Sequence, residues 1–291
     1  MIVKRVLSAY GAGGVRGVVG AIVRRIRTPT ARCFPLCRQF VSGATGIEIG
    51  GPSSIFARYG MIPLYPAAKR VDNCNFARST LWEGAIEEGH SFAFNSRSAR
   101  GQQFIAEGVD LNMIPSDDYR FLLSSNMLEH TTNPLAALVE WKRLLEAGGG
   151  LILVLPHRDG TFDHRRPITT LDHLVLDFEN STPETNLDHL PEILALHDLA
   201  RDPGAVDEAT FRERAQRNGT VRGLHHHVFD TRLAMEVVSW AGFDLLAAEP
   251  LKPCQIVVVA QKPYGQASRT TLTASDVAEV LQKSPFASDR K

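Results

Sequence analysis

Residues 46–53 read Gly-Ile-Glu-Ile-Gly-Gly-Pro-Ser, and this octet constrains the fold more than any other stretch of the chain. An apolar run carries Glu48, a Gly50-Gly51 turn follows, and Ser53-Ser54 can cap a helix. A strand, a bare turn and a helix start in that order make an entry to a nucleotide-type ligand site. Glycine lets the backbone approach the ligand, and a helix N-terminus offers free N–H groups. A short glycine turn alone is a weak signal, so its weight comes from what lies downstream.

Downstream, strands are expected at Gly46–Ile49, Lys69–Val71, Gln103–Ala106, Arg120–Ser124, Leu151–Leu155, Phe243–Ala247 and Ile256–Ala260. The wholly apolar Leu151–Leu155 reads as a central parallel strand. One helix is marked by Asn133 as N-cap and Pro134 at its first position, with a stripe of Leu135, Leu138, Val139 and Leu145 and a Gly148–Gly150 stop. A second runs from after Asp230 to about Trp240, ended by Gly242. Strands alternating with helices predict an α/β fold, a Rossmann-like doubly wound sheet of about seven strands. Residues 157–227 break the rhythm with Asp, His, Pro and Arg. At ~70 residues the segment is too long for a connection and predicts an inserted helical or irregular cap. The expected organisation is a basic arm over 1–43, a sheet domain over 44–262 carrying that cap, and a polar tail over 263–291 with a surface helix at Ala274–Gln282.

With 44% hydrophobic and 22% charged residues the chain is a folded globular protein. Its net charge is zero but unevenly spread: residues 1–47 hold Lys4, Arg5, Arg16, Arg24, Arg25, Arg27, Arg32 and Arg38 and no acid, so this +8 is balanced by −8 elsewhere. Such an arm suits peripheral contact with an anionic membrane, or is simply solvated. No uninterrupted apolar run of ~18 residues predicts a membrane span, and no long apolar h-region predicts a secretory signal. The four cysteines lack Cys-x-x-Cys spacing and read as thiols of a reducing compartment, which makes the cytoplasm the expected location.

Ligands in open α/β sheets bind outside the carboxyl ends of the strands. After the first strand come Gly50, Gly51 and Ser53, with Glu48 beside them. After the second comes Asp72, 24 residues beyond Glu48, an acid suited to both hydroxyls of a ribose. After the third comes Asp110, placed for an adenine amino group, and after the fourth comes Asn126 to His130.

The run Ser124-Ser125-Asn126-Met127-Leu128-Glu129-His130-Thr131-Thr132-Asn133-Pro134-Leu135, then Trp141-Lys142-Arg143-Leu144-Leu145, then Gly148 through His157 resembles the class I S-adenosylmethionine-dependent methyltransferases, of the type 11-like kind. Glu48-x-Gly50-Gly51-Pro52-Ser53 is similar to their first motif. The likeness covers about 44–156 and resumes at about 228–262. It implies S-adenosyl-L-methionine as cofactor, held by Glu48, Gly50, Gly51, Ser53, Asp72, Asp110, Asn126 and His130. One departure is that Pro52-Ser53 replaces the usual third spaced glycine, leaving Ser53 to meet the methionine carboxylate. The 157–227 region is similar to bacterial methyltransferases associated with surface-sugar assembly. A second glycine turn, Gly11-x-Gly13-Gly14-x-x-Gly17, resembles a dinucleotide fingerprint but lacks an acid about 20 residues later.

Eight of the ten histidines lie in 157–227: His157, His164, His173, His189, His197 and His225 to His227. Three readings are open. One imidazole, oriented by an Asp, is a general base that takes the proton of an acceptor hydroxyl; several His and Asp hold a divalent metal that chelates a diol; or the imidazoles cap helices within the lid. If 225–227 is extended, His225 and His227 share a face and His226 points away. The catalytic candidates are His130, His157, His164 and His226, and no residue is assigned to a metal. The expected reaction is methyl transfer to a hydroxyl of a sugar, glycan or other small molecule. No interleaved basic and aromatic patch points to nucleic acid. The alternatives are a cofactor-binding regulatory protein without catalysis, or a metal-assisted O-methyltransferase.

Overall fold

The computed structural model describes residues 29–94, 99–202, 204, 207–265 and 271–291. The Gly11–Gly17 turn and most of the basic arm lie outside the described residues. The strands are β1 (Thr45–Ile49), β2 (Arg70–Asn75), β3 (Ser79–Thr80), β4 (Gly84–Ala85), β5 (Gly89–Phe92), β6 (Gly101–Ile105), β7 (Tyr119–Ser125), β8 (Leu145–Pro156), β9 (Asp244–Leu251) and β10 (Gln255–Gln261). Eight of them form one sheet in the order β5-β6-β2-β1-β7-β8-β10-β9, and β3 and β4 make a separate hairpin. Strands β6, β2, β1, β7 and β8 run parallel, and β10 enters antiparallel to both β8 and β9. This is the expected α/β doubly wound sheet. The strand beyond the expected seven is β5, which closes the β6 edge in antiparallel sense.

The α-helices of the described residues are α1 (Phe34–Val41), α2 (Pro134–Leu144), α3 (Leu171–Glu179), α4 (Leu190–Leu196), α5 (Glu208–Gln216), α6 (Asn218–Val221), α7 (Thr231–Trp240) and α8 (Ala274–Gln282), with short 3-10 turns between elements. One face of the sheet packs Ile47, Ile49, Leu122 and Leu153 against Leu138 and Trp141 of α2 and Val237 of α7. The other packs Phe121, Leu123, Ile152 and Val154 against Phe40 and Val41 of α1 and Phe56 and Leu64 of the β1–β2 connection. The expected arm over 1–43 therefore ends in a helix that covers the sheet, and Arg32 pairs with Glu249 of β9 at 3.1 Å. The expected cap is largely helical. Its α3 packs on α2 and α7, while α4 and α5 gather a small core of Ile193, Phe211, Ala215 and Leu224. Nor does the tail project: Leu281 and Phe286 are buried, and Asp289 bonds His157 and Thr231.

Three local expectations change. The glycines 148–150 do not stop α2; they lie inside β8, which already begins at Leu145. Gly150 is needed there because a Cβ would sit 2.3 Å from the Phe40 ring. Val139, placed in the apolar stripe, is exposed, and Trp141 takes the buried position and donates to the Gly108 carbonyl at 2.9 Å. After Ser53 there is no α-helix, only a 3-10 turn over Ser54–Phe56. The Ser53 N–H that would head such a helix is already bonded to Glu48 Oε1 (3.1 Å) and the Tyr65 hydroxyl (2.7 Å). Among the described residues no helix is long and apolar enough to cross a membrane.

Candidate active site

Strand order reverses direction between β1 and β7, so the carboxyl ends of these two strands open a crevice. The Gly50–Gly51 turn forms its floor. Gly50 has φ +86, a conformation that favours glycine, and a Cβ there would sit 2.8 Å from Met127 Cγ. A Cβ on Gly51 would sit 2.3 Å from the Glu48 carboxyl carbon. Glu48 is thus folded beneath the turn, fully buried, and accepts from the Tyr65 hydroxyl at 2.5 Å. Burial pushes its carboxyl up to about 7, although the Ser53 and Tyr65 donors pull it back. From the β2 side a cluster of buried amides fixes the turn. Asn73 Oδ1 accepts from the Gly51 N–H (3.0 Å), Asn75 Nδ2 donates to the Gly51 carbonyl (3.1 Å), and Gln103 Nε2 braces Asn75 (3.0 Å).

Two connected spaces occupy the crevice, sharing Gly50, Trp82, Asn126 and His130. The first is a slot of about 60 Å³ between the ends of β1, β2, β6 and β7, walled by Ile49, Cys74, Phe76, Ala106 and Met127. Its acids are Glu107, two residues past β6, and Glu184 from the cap. Arg222 closes it: the guanidinium bonds Glu107 Oε1 at 2.7 Å, pairs with Glu184, and lies 5.5 Å from the Phe76 ring centre. The second space is a cavity of about 800 Å³ bordered by Ser53, Glu129, Phe162 and His225.

Three titratable groups converge on that cavity. Glu129 is wholly buried, and neither of its carboxylate oxygens has a hydrogen-bond partner. Its Oε1 lies 3.8 Å from His130 Nε2 and 3.9 Å from His225 Nε2. Both rings are held from behind, His130 Nδ1 by the Leu224 carbonyl (2.9 Å) and His225 Nδ1 by Asp163 (2.6 Å). Asp163 is in turn fixed by the buried Arg166 at 2.9 Å, which also bonds the His225 and His226 carbonyls. Burial pushes Glu129 up to about 7 and His130 down to about 3. Burial pulls His225 down too, but Asp163 outweighs it and leaves the ring more basic than usual.

Of the residues expected at the cofactor, Gly50, Ser53, Asn126 and His130 line the crevice, with Glu48 and Gly51 just beneath. Asp72 is not brought there. Strand β2 continues to Asn75, and Asp72 sits opposite Ile47, two places short of the partner of Ile49. Its carboxylate accepts instead from the Gln102 N–H and the Tyr119 hydroxyl, both at 2.9 Å. Asp110 is exposed on the loop after β6 and accepts from Asn112. The catalytic candidates divide likewise. His157 is buried against Phe286, with Nε2 3.0 Å from Asp289. His164 pairs with Asp198 at 2.9 Å and does not line either space, and His226 is buried with Nε2 2.9 Å from Asn218. Of these four only His130 faces the cavity. The residues not selected from sequence are Glu107, Glu129, Arg222 and His225. The first acid after a correctly ended third strand would have found Glu107, and the Glu129-His130 pair stood within the quoted motif.

No protein-family model matches the chain, and no curated protein matches it. Among solved structures it is similar to S-adenosylmethionine-dependent methyltransferases from three organisms. For Mesorhizobium loti the identity is 14%, covering 79% of this chain and 98% of that one, with a TM-score of 0.45. For Aquifex aeolicus the values are 11%, 82%, 93% and 0.44, and for Methanosarcina mazei 15%, 79%, 97% and 0.44. At such identities and TM-scores the reaction has to be argued from the chain's own residues.

Proposed function

We propose that this chain transfers a methyl group from S-adenosylmethionine to a hydroxyl of a small-molecule acceptor, with His225 as general base. The observation that carries the reading is the paired space at the β1/β7 crevice: a narrow slot with apolar walls and two acids at its Arg222 side, opening into a roomy cavity with an Asp-oriented imidazole on its border. The slot walls suit an adenine, Glu107 suits a nucleoside hydroxyl or amino group, and Gly50 leaves room for backbone approach. Asp72, the acid the resemblance implies for the ribose, is turned to Gln102 and Tyr119, and β2 ends instead in Asn75, which is no acid. Glu107 is therefore assigned that duty, once Arg222 releases it.

When bound, S-adenosylmethionine supplies an electrophilic methyl group on a sulfonium. Methyl transfer is an in-line displacement, so the chain's main task is alignment, followed by removal of the acceptor proton. His225 borders the cavity, and its Nδ1–H is committed to Asp163, which leaves Nε2, 3.9 Å from Glu129, free to take that proton. Glu129, with two unpaired buried oxygens beside the imidazole, offsets the positive charge that results. Phe162, 4.6 Å from the His225 ring, walls one side.

A metal-assisted variant has its own support. Glu129, His130 and His225 present ligating atoms within 4.8 Å of one another, and each imidazole is oriented by a second hydrogen bond, as metal ligands are. In that case activity is lost to a chelator and restored by a divalent cation; in the base reading it is indifferent to both.

Calorimetry with S-adenosylhomocysteine tests the cofactor assignment. Binding to the wild type, weakened in Gly50→Val and Glu107→Ala but not in Asp72→Asn, is the expected result; absence of wild-type binding sinks it. Labelled-methyl transfer to a panel of sugars, nucleotide sugars and glycans then tests the reaction. His225→Ala and Asp163→Asn should reduce turnover by roughly 100-fold or more while leaving cofactor affinity intact. Cofactor binding with no transfer to any acceptor would favour a regulatory role.

A further inference from the structure

Outside the crevice, four side chains from three segments, one of them His227 of the His225–His227 run, aim at one point. His173 and Asp177 lie one turn apart on the same face of α3, His189 immediately precedes α4, and His227 comes from the approach to α7. Their ligating atoms all fall within 4.8 Å of one another. His173 Nε2 is 3.1 Å from His189 Nε2 and 3.3 Å from Asp177 Oδ2, and His227 Nε2 is 3.8 Å from Asp177 Oδ2. Donors bound about 2.0–2.1 Å from one tetrahedral cation stand roughly 3.3 Å apart; the His173–His189 and His173–Asp177 pairs match that spacing, and His227, whose Nε2 also lies 3.1 Å from the Thr132 carbonyl, is the ligand that has to adjust. The three imidazoles are steeply inclined to one another, at 67° for His173 and His189, 61° for His173 and His227, and 77° for His189 and His227.

Without a cation this arrangement leaves two buried polar atoms unpaired. Asp177 Oδ2 is buried without a hydrogen-bond partner, and so is His227 Nδ1. The two imidazole nitrogens facing each other at 3.1 Å have room for one proton between them. The other Asp177 oxygen accepts from the Thr182 hydroxyl at 2.9 Å, the outer hydrogen bond that orients a ligating carboxylate.

We propose that His173, Asp177, His189 and His227 form a divalent-metal site, suited to Zn²⁺, that ties the helices of the cap to its C-terminal end, where the chain rejoins the sheet domain. Three imidazoles and one carboxylate are a borderline donor set of the kind Zn²⁺ takes. All four positions come from the protein, so the site is closed and structural, with no position open to a substrate. It ties α3 and the start of α4 to the segment that carries His225. It is also separate from the Glu129–His130–His225 group: the two clusters share no ligand.

The test uses the full-length, untagged protein, stripped with a chelator and titrated with Zn²⁺, and with Co²⁺ as a spectroscopic probe. One equivalent should bind, Co²⁺ should show the intense visible bands of tetrahedral coordination, and Zn²⁺ should displace it. A hundredfold excess of Zn²⁺ over its Kd should raise the melting midpoint by roughly 5–10 °C. His173→Ala and Asp177→Asn should each weaken binding by more than the roughly 10–100-fold typical of losing an outer hydrogen bond. The His173 side chain is 43% exposed, so its removal tests ligation with little risk to folding. His130→Ala should keep the full equivalent. No Zn²⁺ binding at micromolar concentration, an octahedral Co²⁺ spectrum, or loss of the metal in His130→Ala but not in His173→Ala would each overturn the proposal.

Discussion

Glu48 shows what a single residue costs and does here. It supports the Gly50–Gly51 turn by accepting from Ser53 and Tyr65, yet burial pushes its carboxyl up to about 7 from 4.5. Below pH 4.5 it is protonated in both the folded and the unfolded chain. Between 4.5 and 7 only the unfolded chain ionises, so its contribution to stability falls as pH rises and is fully lost above 7. The stability of the wild type relative to Glu48→Gln should therefore drop by on the order of 3 kcal/mol across that window. Urea midpoints of the two proteins at a series of pH values measure this, and a flat difference would refute it. Taking the difference matters, because Glu129 has the same sign, whereas His130 and His226, pushed down to about 3, lose stability as pH falls below 6.5. The turn itself and the four lining residues Gly50, Ser53, Asn126 and His130 could be read from the sequence, because glycine and the strand-end motif act locally. Asp72 and Asp110 could not be placed. The polar run Asp72-Asn73-Cys74-Asn75 looks like a loop, but its amides are buried because they hold Gly51, a partner 22 residues away from Asn73. Among His225, His226 and His227, the one that meets the cavity is likewise set at a distance, by the His226 N–H bonding the Glu129 carbonyl.

At the scale of elements, α2 is the piece where local signals and tertiary role coincide. Asn133 caps it as expected, accepting from the Ala136 N–H at 3.1 Å, and the same side chain donates to the Asp177 carbonyl of α3 at 3.0 Å. Asn133→Ala removes both bonds and should lower stability by about 1–2 kcal/mol, read as a lower urea midpoint at unchanged slope. Val139→Ala on the exposed face should stay within about 0.5 kcal/mol of wild type. Equal losses in the two variants would mean that the cap does not link α2 to α3. Seven of the eight sheet strands were legible because apolar runs have few other homes; β5, Gly-His-Ser-Phe, has no such run. Strand ends were not, as β8 shows: three glycines looked like a helix stop, but Phe40 of α1 requires Gly150 to be bare within the strand.

Across the whole molecule, the C-terminal residues act as a clasp rather than a tail. Asp289 accepts from Thr231 Oγ1 (2.6 Å) and the Thr231 N–H (3.1 Å) at the start of α7, and from His157 Nε2 (3.0 Å) past the end of β8. Phe286, fully buried, stacks on His157 with ring centres 3.8 Å apart. Polar composition hid this role, since one Phe and one Asp among charged neighbours give no periodic signal. Ending the chain at Lys283 removes a buried aromatic ring and leaves His157 and Thr231 without their acceptor. The loss should be about 3–5 kcal/mol for the ring alone, with more for the unpaired polar groups. Asp289→Asn keeps the shape and should cost less. Its carboxyl is held below the usual range by His157, Ser284 and Thr231 against the pull of burial, so the stability it contributes is present at neutral pH and is lost as pH falls through its lowered value. None of these groups lines the narrow slot, so S-adenosylhomocysteine affinity per folded molecule should be unchanged in the truncated chain. A truncation that left the urea midpoint where it was would show the clasp to be idle. One that abolished ligand binding while the fold persisted would show that it reaches the crevice.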